Sequence, residues 1–286
     1  MAIALEGRPV ARAILERARE ELAEYVTQAG RPPELATVLA GDDASAAAYV
    51  RAIHRTFDRV GIPVRDVTLP GDVAEAELRE AVAHLNADPA VSGIIVLQPL
   101  PRHLPAGIAS ELVDPAKDVD GITPASAGRL AVGLPALPPS TPAGGMAILE
   151  HYGIEIAGRH AVVIGRSPVV GLPMALMLIA ADATVTVCHS RTSDLPAVTR
   201  QADILVAAAG RPGLVRPEMV KPGATVIDFG VSFVDGKMIG DVEPAVGEVA
   251  GALTPVPGGT GAVTNAILVQ NTLRAAWAAL GGRRAG

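Results

Sequence analysis

The chain has 286 residues, 49% of them hydrophobic, which is enough for two modest domains with their own cores and excludes disorder as the main state. Aromatic residues make up 2% and the net charge is −6, so base-stacking platforms and a basic phosphate-backbone footprint are both missing and nucleic acid is not an expected partner. The lone cysteine, Cys188, rules out an internal disulfide framework and fits a reducing compartment, the cytoplasm by default; no 18-residue apolar run occurs, so no membrane is expected.

In chain order, residues 8–29 place Val10, Ile14, Leu15, Ala18, Leu22 and Tyr25 at helical spacing and stop at Gly30-Arg31-Pro32-Pro33. Residues 34–40 read as a buried strand. Gly41-Asp42-Asp43 then opens a loop with an acidic cap for a helix over about 44–60, on which Tyr49, Ile53 and Phe57 share one face. A strand over 63–69, a helix over 74–85 and a strand over 91–97 follow, the last running into Gln98-Pro99-Leu100-Pro101, so the first half is β-α alternation. The stretch 114–121 (DPAKDVDG) is turn-rich and too charged for a core, which makes it a surface loop or one wall of a site. Four prolines between Leu134 and Pro142 mark a boundary.

Beyond it, the apolar run 161–164 breaks at Gly165-Arg166-Ser167-Pro168 and resumes at Gly171-Leu172-Pro173 as a segment long enough for a helix. A β-branched run over 184–187 completes a βαβ unit, in which a right-handed crossover sets the two strands parallel. The loop then lies at a helix N-terminus, where amide groups and the helix dipole favour an anion, here expected to be a dinucleotide. Ser167 stands where the second glycine of the G-x-G-x-x-G fingerprint would be, and an ordinary strand-to-helix turn has the same outline. The second strand ends in Cys188-His189-Ser190-Arg191, with no acid to hold a ribose 2′-hydroxyl. A hydroxyl and a guanidinium there, with Arg166 in the loop, suit a 2′-phosphate, hence NADP rather than NAD.

Two more strands, within 202–210 and 224–230, end in glycine as at the cofactor edge of a doubly wound sheet. Thr254 to Gly261 is a breaker-rich loop, a shaped wall or a plain linker, and 264–280 reads as an amphipathic helix. The six histidines show no pair at metal-ligand spacing, so no metal is expected.

Six separated pieces together resemble the bifunctional methylenetetrahydrofolate dehydrogenase/methenyltetrahydrofolate cyclohydrolase family: GDDASAAAYVR at 41–51, PAKDVDG at 115–121, Ser140-Thr141-Pro142, Gly165-Arg166-Ser167 with Val170-Gly171, Cys188-His189-Ser190, and TPVPGGTG at 254–261. The resemblance runs nearly end to end. It implies an α/β fold of two domains. The first, 1–138 completed by a C-terminal helix over 264–286, would bind folate. The second, 139–263, would be a Rossmann-like NADP domain with a parallel sheet. The folate would lie between them, and the protein would be a homodimer. It also implies that Tyr49 and Asp120 are catalytic and line the folate pocket with Pro257, Gly258 and Gly259. Gly165, Arg166, Ser167, Gly171, His189, Ser190, Arg191 and Thr141 would bind the cofactor.

Two departures stand out. The family's Tyr-x-x-x-Lys carries a lysine acid/base, but four residues after Tyr49 this chain has Ile53. The family's Gln-Leu-Pro-Leu-Pro reads Leu97-Gln98-Pro99-Leu100-Pro101 here, so leucine takes the glutamine's place. Hydride departure from the bridging carbon needs no enzyme base, whereas hydrolysis of the methenyl cation needs proton transfers for which a positioned acid/base is worth about 100- to 10,000-fold. The dehydrogenase is therefore expected to survive and the cyclohydrolase to be weak or lost. His54 lies about 100° further round the helix than residue 53. Gln98 is one step along a strand, which points it to the opposite face unless a bulge restores it as a substitute. A fully bifunctional enzyme, a non-catalytic folate- or NADP-binding regulatory protein, and an NADP oxidoreductase with another substrate stay open.

Overall fold

A computed structural model describes residues 1–281; residues 282–286, the tail of the predicted C-terminal segment, lie outside the described residues. Along the first half run β1 (Ile3–Ala4), α1 (Gly7–Ala29), β2 (Glu34–Ala40), α2 (Ala44–Val60), β3 (Val64–Leu69), α3 (Glu75–Ala87) and β4 (Val91–Val96). Two short helices follow, α4 (Ile108–Leu112) and α5 (Pro124–Ala131). Then come α6 (Ser140–His151), β5 (His160–Ile164), α7 (Gly171–Ala180), β6 (Thr184–Cys188), α8 (Leu195–Thr199), β7 (Ile204–Ala207) and β8 (Thr225–Asp228). A hairpin of β9 (Ser232–Val234) and β10 (Lys237–Ile239), the short β11 (Ala252–Leu253) and α9 (Thr260–Ala279) complete the chain. It divides into two units, residues 13–140 with 265–286, and residues 1–12 with 141–264.

The unit of 13–140 and 265–286 is built on a parallel sheet of order β3-β2-β4, with Val38 opposite both Val67 and Val96. β2 is the central strand and is covered on both faces, which explains why 35–40 is apolar but for Thr37, whose buried hydroxyl bonds Asp66. Leu78, Val82 and Leu85 of α3 pack on it. The Asp43 carboxylate caps α2 by accepting from the Ala46 N–H at 2.8 Å, and Gly61, at φ 94°, ends the helix.

Two expectations fail in this unit. The stretch 114–121 is exposed only over 114–116: Asp118 is fully buried, and Ile94 forms a parallel bridge to it. Burial is tolerated because its carboxylate accepts from the N–H groups of Ile122 and Thr123 and from the Ser126 hydroxyl, at 3.0, 2.8 and 2.6 Å. α9 begins at Thr260, inside the predicted breaker loop, and is not amphipathic. It is covered on most sides, Asn271 and Thr272 included, because those polar side chains find carbonyl partners.

The other unit has a six-stranded parallel sheet of order β1-β11-β8-β7-β5-β6. Residues 1–12, placed by sequence with the first half, belong here because β1 pairs with β11, Ile3 opposite Ala252. β5 has β6 on one side and β7 on the other, so the strand order reverses at its carboxyl end. That is where an open α/β sheet leaves a crevice for a ligand.

Candidate functional site

The loop after β5 emerges at this reversal point. Gly165 has φ 125°, and a Cβ there would lie 2.1 Å from the Ala208 carbonyl oxygen; at Gly171 a Cβ would lie 2.3 Å from the Gly165 carbonyl oxygen. Only glycine lets the chain pass between the exit of β7 and the start of α7. The Ser167 hydroxyl, where the second glycine was missing, closes the turn by accepting from the N–H groups of Val170 and Gly171, at 3.1 and 3.4 Å.

On the neighbouring strand end, paired Ile164 to Cys188, the turn of 189–192 folds on itself. The His189 N–H donates to the Thr192 hydroxyl at 2.9 Å, and the Arg191 N–H donates to His189 Nδ1 at 3.1 Å. A ring nitrogen that accepts leaves the proton of the neutral imidazole on Nε2. Arg166, Ser167, Ser190 and Arg191 are exposed, and among the described residues neither arginine forms an ion pair. Two guanidinium groups at adjacent strand ends, neither in an ion pair among the described residues, fit a phosphorylated dinucleotide. Thr141, the second residue of α6, is half-buried, and among the described residues no hydrogen bond ties it to this loop.

Sequence reading missed a carboxylate pair beside the loop. Asp228, at the end of β8, accepts from the N–H groups of Gly230, Asp241 and Val242, and burial pushes its carboxyl up to about 6. Asp241 Oδ2 accepts from the N–H groups of Ala209 and Gly210 at 2.7 and 2.8 Å and so holds the chain leaving β7, next to Gly165. The signal lay in two glycines: a Cβ at Gly240 would sit 1.9 Å from Asp228 Oδ2, and one at Gly230 2.5 Å from Asp241 Oδ1. The 254–261 loop is a shaped wall rather than a linker. Thr254 and Thr260 bond the backbone of Asp228, Gly258 accepts from the Gly7 N–H, and a Cβ at Gly259 would lie 2.6 Å from the Pro255 carbonyl oxygen. Pro257 lies within the same loop.

In the other unit, Tyr49 on α2 and Asp120 in the DVDG loop come together. Burial, and then the charge of Asp120, raise the Tyr49 phenol above its ordinary value, so it stays protonated near neutral pH. Burial pushes the Asp120 carboxyl up to about 6, against a hydrogen bond donated by the Ser140 hydroxyl at 2.7 Å, and the charge of Asp118 adds to the rise. Ile53 is 0% and Leu97 3% exposed. His54 points elsewhere, its Nε2 on the Asp66 carboxylate at 2.9 Å. Gln98 is exposed and its Oε1 accepts from the Leu100 N–H at 3.3 Å, so it does not occupy the position of Leu97. Ser140, Asp118 and Asn271 had no assigned role, because polar residues at loop and helix positions look alike whether paired in the interior or solvated. Among the described residues no group of three or more His, Cys, Asp or Glu is placed to hold a metal ion.

A parallel sheet carrying a glycine loop at its reversal point, with Arg166 in that loop and Arg191 on the adjacent strand end, defines an α/β dinucleotide-binding protein. The family model described as tetrahydrofolate dehydrogenase/cyclohydrolase, catalytic domain, matches residues 5–120, and that for the NAD(P)-binding domain of the same family matches residues 139–280. The chain is 54% identical to the bifunctional protein FolD of Thermomicrobium roseum, over 95% of this chain and 94% of that protein. It is 53% identical to the FolD of Chloroflexus aurantiacus, over 97% and 98%. Among solved structures, the FolD methylenetetrahydrofolate dehydrogenase/cyclohydrolase of Campylobacter jejuni matches with a TM-score of 0.93 at 38% identity, covering 96% of this chain and 99% of that one. The Trypanosoma brucei dehydrogenase-cyclohydrolase, solved with NADP and an inhibitor, matches with a TM-score of 0.92 at 38% identity, covering 99% of each chain. The chain belongs to the tetrahydrofolate dehydrogenase/cyclohydrolase family.

Proposed function

We propose that this protein oxidises 5,10-methylenetetrahydrofolate to the 5,10-methenyl cation with NADP, in one-carbon metabolism in the cytoplasm, and that its hydrolysis of that cation to 10-formyltetrahydrofolate is weak. In this reading the unit of 13–140 and 265–286 binds folate through Tyr49 and Asp120. The unit of 1–12 and 141–264 binds NADP through Gly165, Arg166, Ser167, Gly171, His189, Ser190 and Arg191, and contributes Pro257 to Gly259 to the substrate side. A homodimer is part of the proposal, from family resemblance.

The observation that carries it is the burial of Ile53 and Leu97, apolar side chains where the family carries a lysine and a glutamine. The bound nicotinamide supplies the hydride acceptor. Hydride loss from the bridging carbon asks the protein only to hold and align the substrate and to keep water away. Asp120 offers carboxylate oxygens to N–H donors of the pterin, and the Tyr49 phenol, kept protonated, donates rather than acts as a base. Hydrolysis needs a proton acceptor that Ile53 cannot be. The second reading, a full bifunctional enzyme, draws on two observations: the relatives at 54% and 53% identity are named bifunctional, and a carboxyl at about 6, that of Asp120, is suited to proton transfer near neutral pH.

The dehydrogenase is tested by nicotinamide reduction on addition of 5,10-methylenetetrahydrofolate, with NADP and NAD compared. Reduction with a clear NADP preference is expected. Arg191→Ala is expected to erode that preference about 10- to 100-fold, the worth of a hydrogen bond to a charged group. Absence of folate-dependent reduction contradicts the reading.

A further inference from the structure

We infer that Ser140 is a positioning residue for Asp120: its hydroxyl, locked in register by Asn271, occupies one carboxylate oxygen and leaves the other for an N–H donor of the substrate. The inference rests on the folate reading above and goes beyond it, because it concerns how the carboxylate is aimed and kept ionised.

Ser140 is the first residue of α6 and is 2% exposed. Among the described residues its hydroxyl is the one hydrogen-bond donor to the Asp120 carboxyl, at Oδ1. Two further ties fix this pair. The buried Asn271 of α9 donates both N–H bonds of its amide, one to the Val119 carbonyl at 2.8 Å and one to the Pro138 carbonyl at 2.9 Å. These are the residue before Asp120 and the residue two before Ser140. On the other side of Asp120, Gly121 adopts φ 64°, and a Cβ there would lie 2.6 Å from the Pro139 nitrogen and 2.8 Å from the Leu137 carbonyl oxygen. The DVDG loop and the segment leading into α6 thus form one strut, with Asp120 and Ser140 facing each other across it.

Asp118 cannot take over, because its oxygens are committed to Ile122, Thr123 and Ser126. The titratable groups bearing on Asp120 are Asp118 from its own loop, which disfavours ionisation, and the Tyr49 phenol from α2. No cation offsets them in that set. A half-buried carboxyl in such surroundings depends on its single donor to stay ionised, and an ionised carboxylate with only one serine on it retains acceptor capacity.

The test is a carbon-13 NMR titration of the Asp120 carboxyl in the full chain, with Asp120→Asn to assign the resonance, alongside the pH dependence of the folate KM. In Ser140→Ala the midpoint is expected to rise by about one unit, so that the folate KM rises about twofold at about pH 7 and approaches about tenfold toward about pH 5, in each case by more than kcat falls. The acid limb of kcat/KM moves to higher pH with it. Ser140→Cys keeps the volume with a weaker donor and is expected to shift partway, which keeps the test available if the alanine variant does not fold. An unshifted carboxyl in either folded variant overturns the inference. If the wild-type protein fails to reduce NADP with folate, the functional reading falls, while the titration still decides the role of Ser140.

Discussion

At the scale of single residues, the proposed loss of hydrolysis turns on two side chains that cannot carry a proton. Ile53 lies one helical turn from Tyr49 and is completely buried, and Leu97, the residue after β4, is 3% exposed, so neither position is open to solvent. Restoring the polar pair is therefore the informative change. Ile53→Lys with Leu97→Gln is expected to raise the rate of methenyl hydrolysis at least about 100-fold over wild type, the lower bound for a positioned acid/base. It is also expected to lower the unfolding free energy by about 3 kcal/mol, because an amine enters a site built for a branched hydrocarbon. Absorbance decay of the methenyl product and urea unfolding measure the two effects. A double variant with wild-type hydrolysis would place the acid/base elsewhere.

At the scale of elements, the loop between β5 and α7 depends on contacts that a methyl group would destroy. With φ 125° and the Ala208 carbonyl 2.1 Å from an added Cβ, Gly165→Ala is expected to displace the loop, cost about 1–3 kcal/mol of stability and weaken NADP binding at least about tenfold. Fluorescence titration of the variant with NADP checks this, and unchanged affinity would mean that the loop does not hold the cofactor. This element was legible in sequence because strand, glycine turn and apolar helix follow one another at the spacing of a βαβ unit. Other elements were not. The 114–121 loop was judged by its charge, but pairing decides burial, and the donors that allow Asp118 inside come from residues 122–126. The segment 264–280 was expected to be an amphipathic helix; in the fold its Asn271 is a buried strut, and burial depresses the Arg274 guanidinium. Hydrophobic periodicity reports which face avoids water, and it is silent on polar groups satisfied within the protein.

At the scale of the whole molecule, each unit holds a carboxyl pushed up to about 6, Asp120 in one and Asp228 in the other. A carboxyl whose folded value is raised favours the folded state at low pH, and that contribution is lost as pH rises from the unfolded value of 3.8 through about 6. Asp88 and Asp203, held low by their hydrogen bonds and by Arg65 and Lys221, work in the opposite sense. The difference between wild type and Asp228→Asn isolates the buried group. The variant is expected to be less stable throughout, since an amide faces three N–H donors, but to lose less stability than wild type between about pH 4 and pH 6 by urea unfolding. Parallel curves would show that Asp228 does not titrate there.

The match to relatives named bifunctional, over 95% and 97% of this chain, shows the family, and the second activity is the point on which we propose that this chain departs. The most direct measurement follows the methenyl product by absorbance during oxidation of 5,10-methylenetetrahydrofolate with NADP, against its uncatalysed decay in the same buffer. NADP reduction is expected, with methenyltetrahydrofolate accumulating and decaying at the uncatalysed rate. Decay well above that rate would contradict it, showing that the enzyme hydrolyses its product without the lysine and glutamine that Ile53 and Leu97 replace.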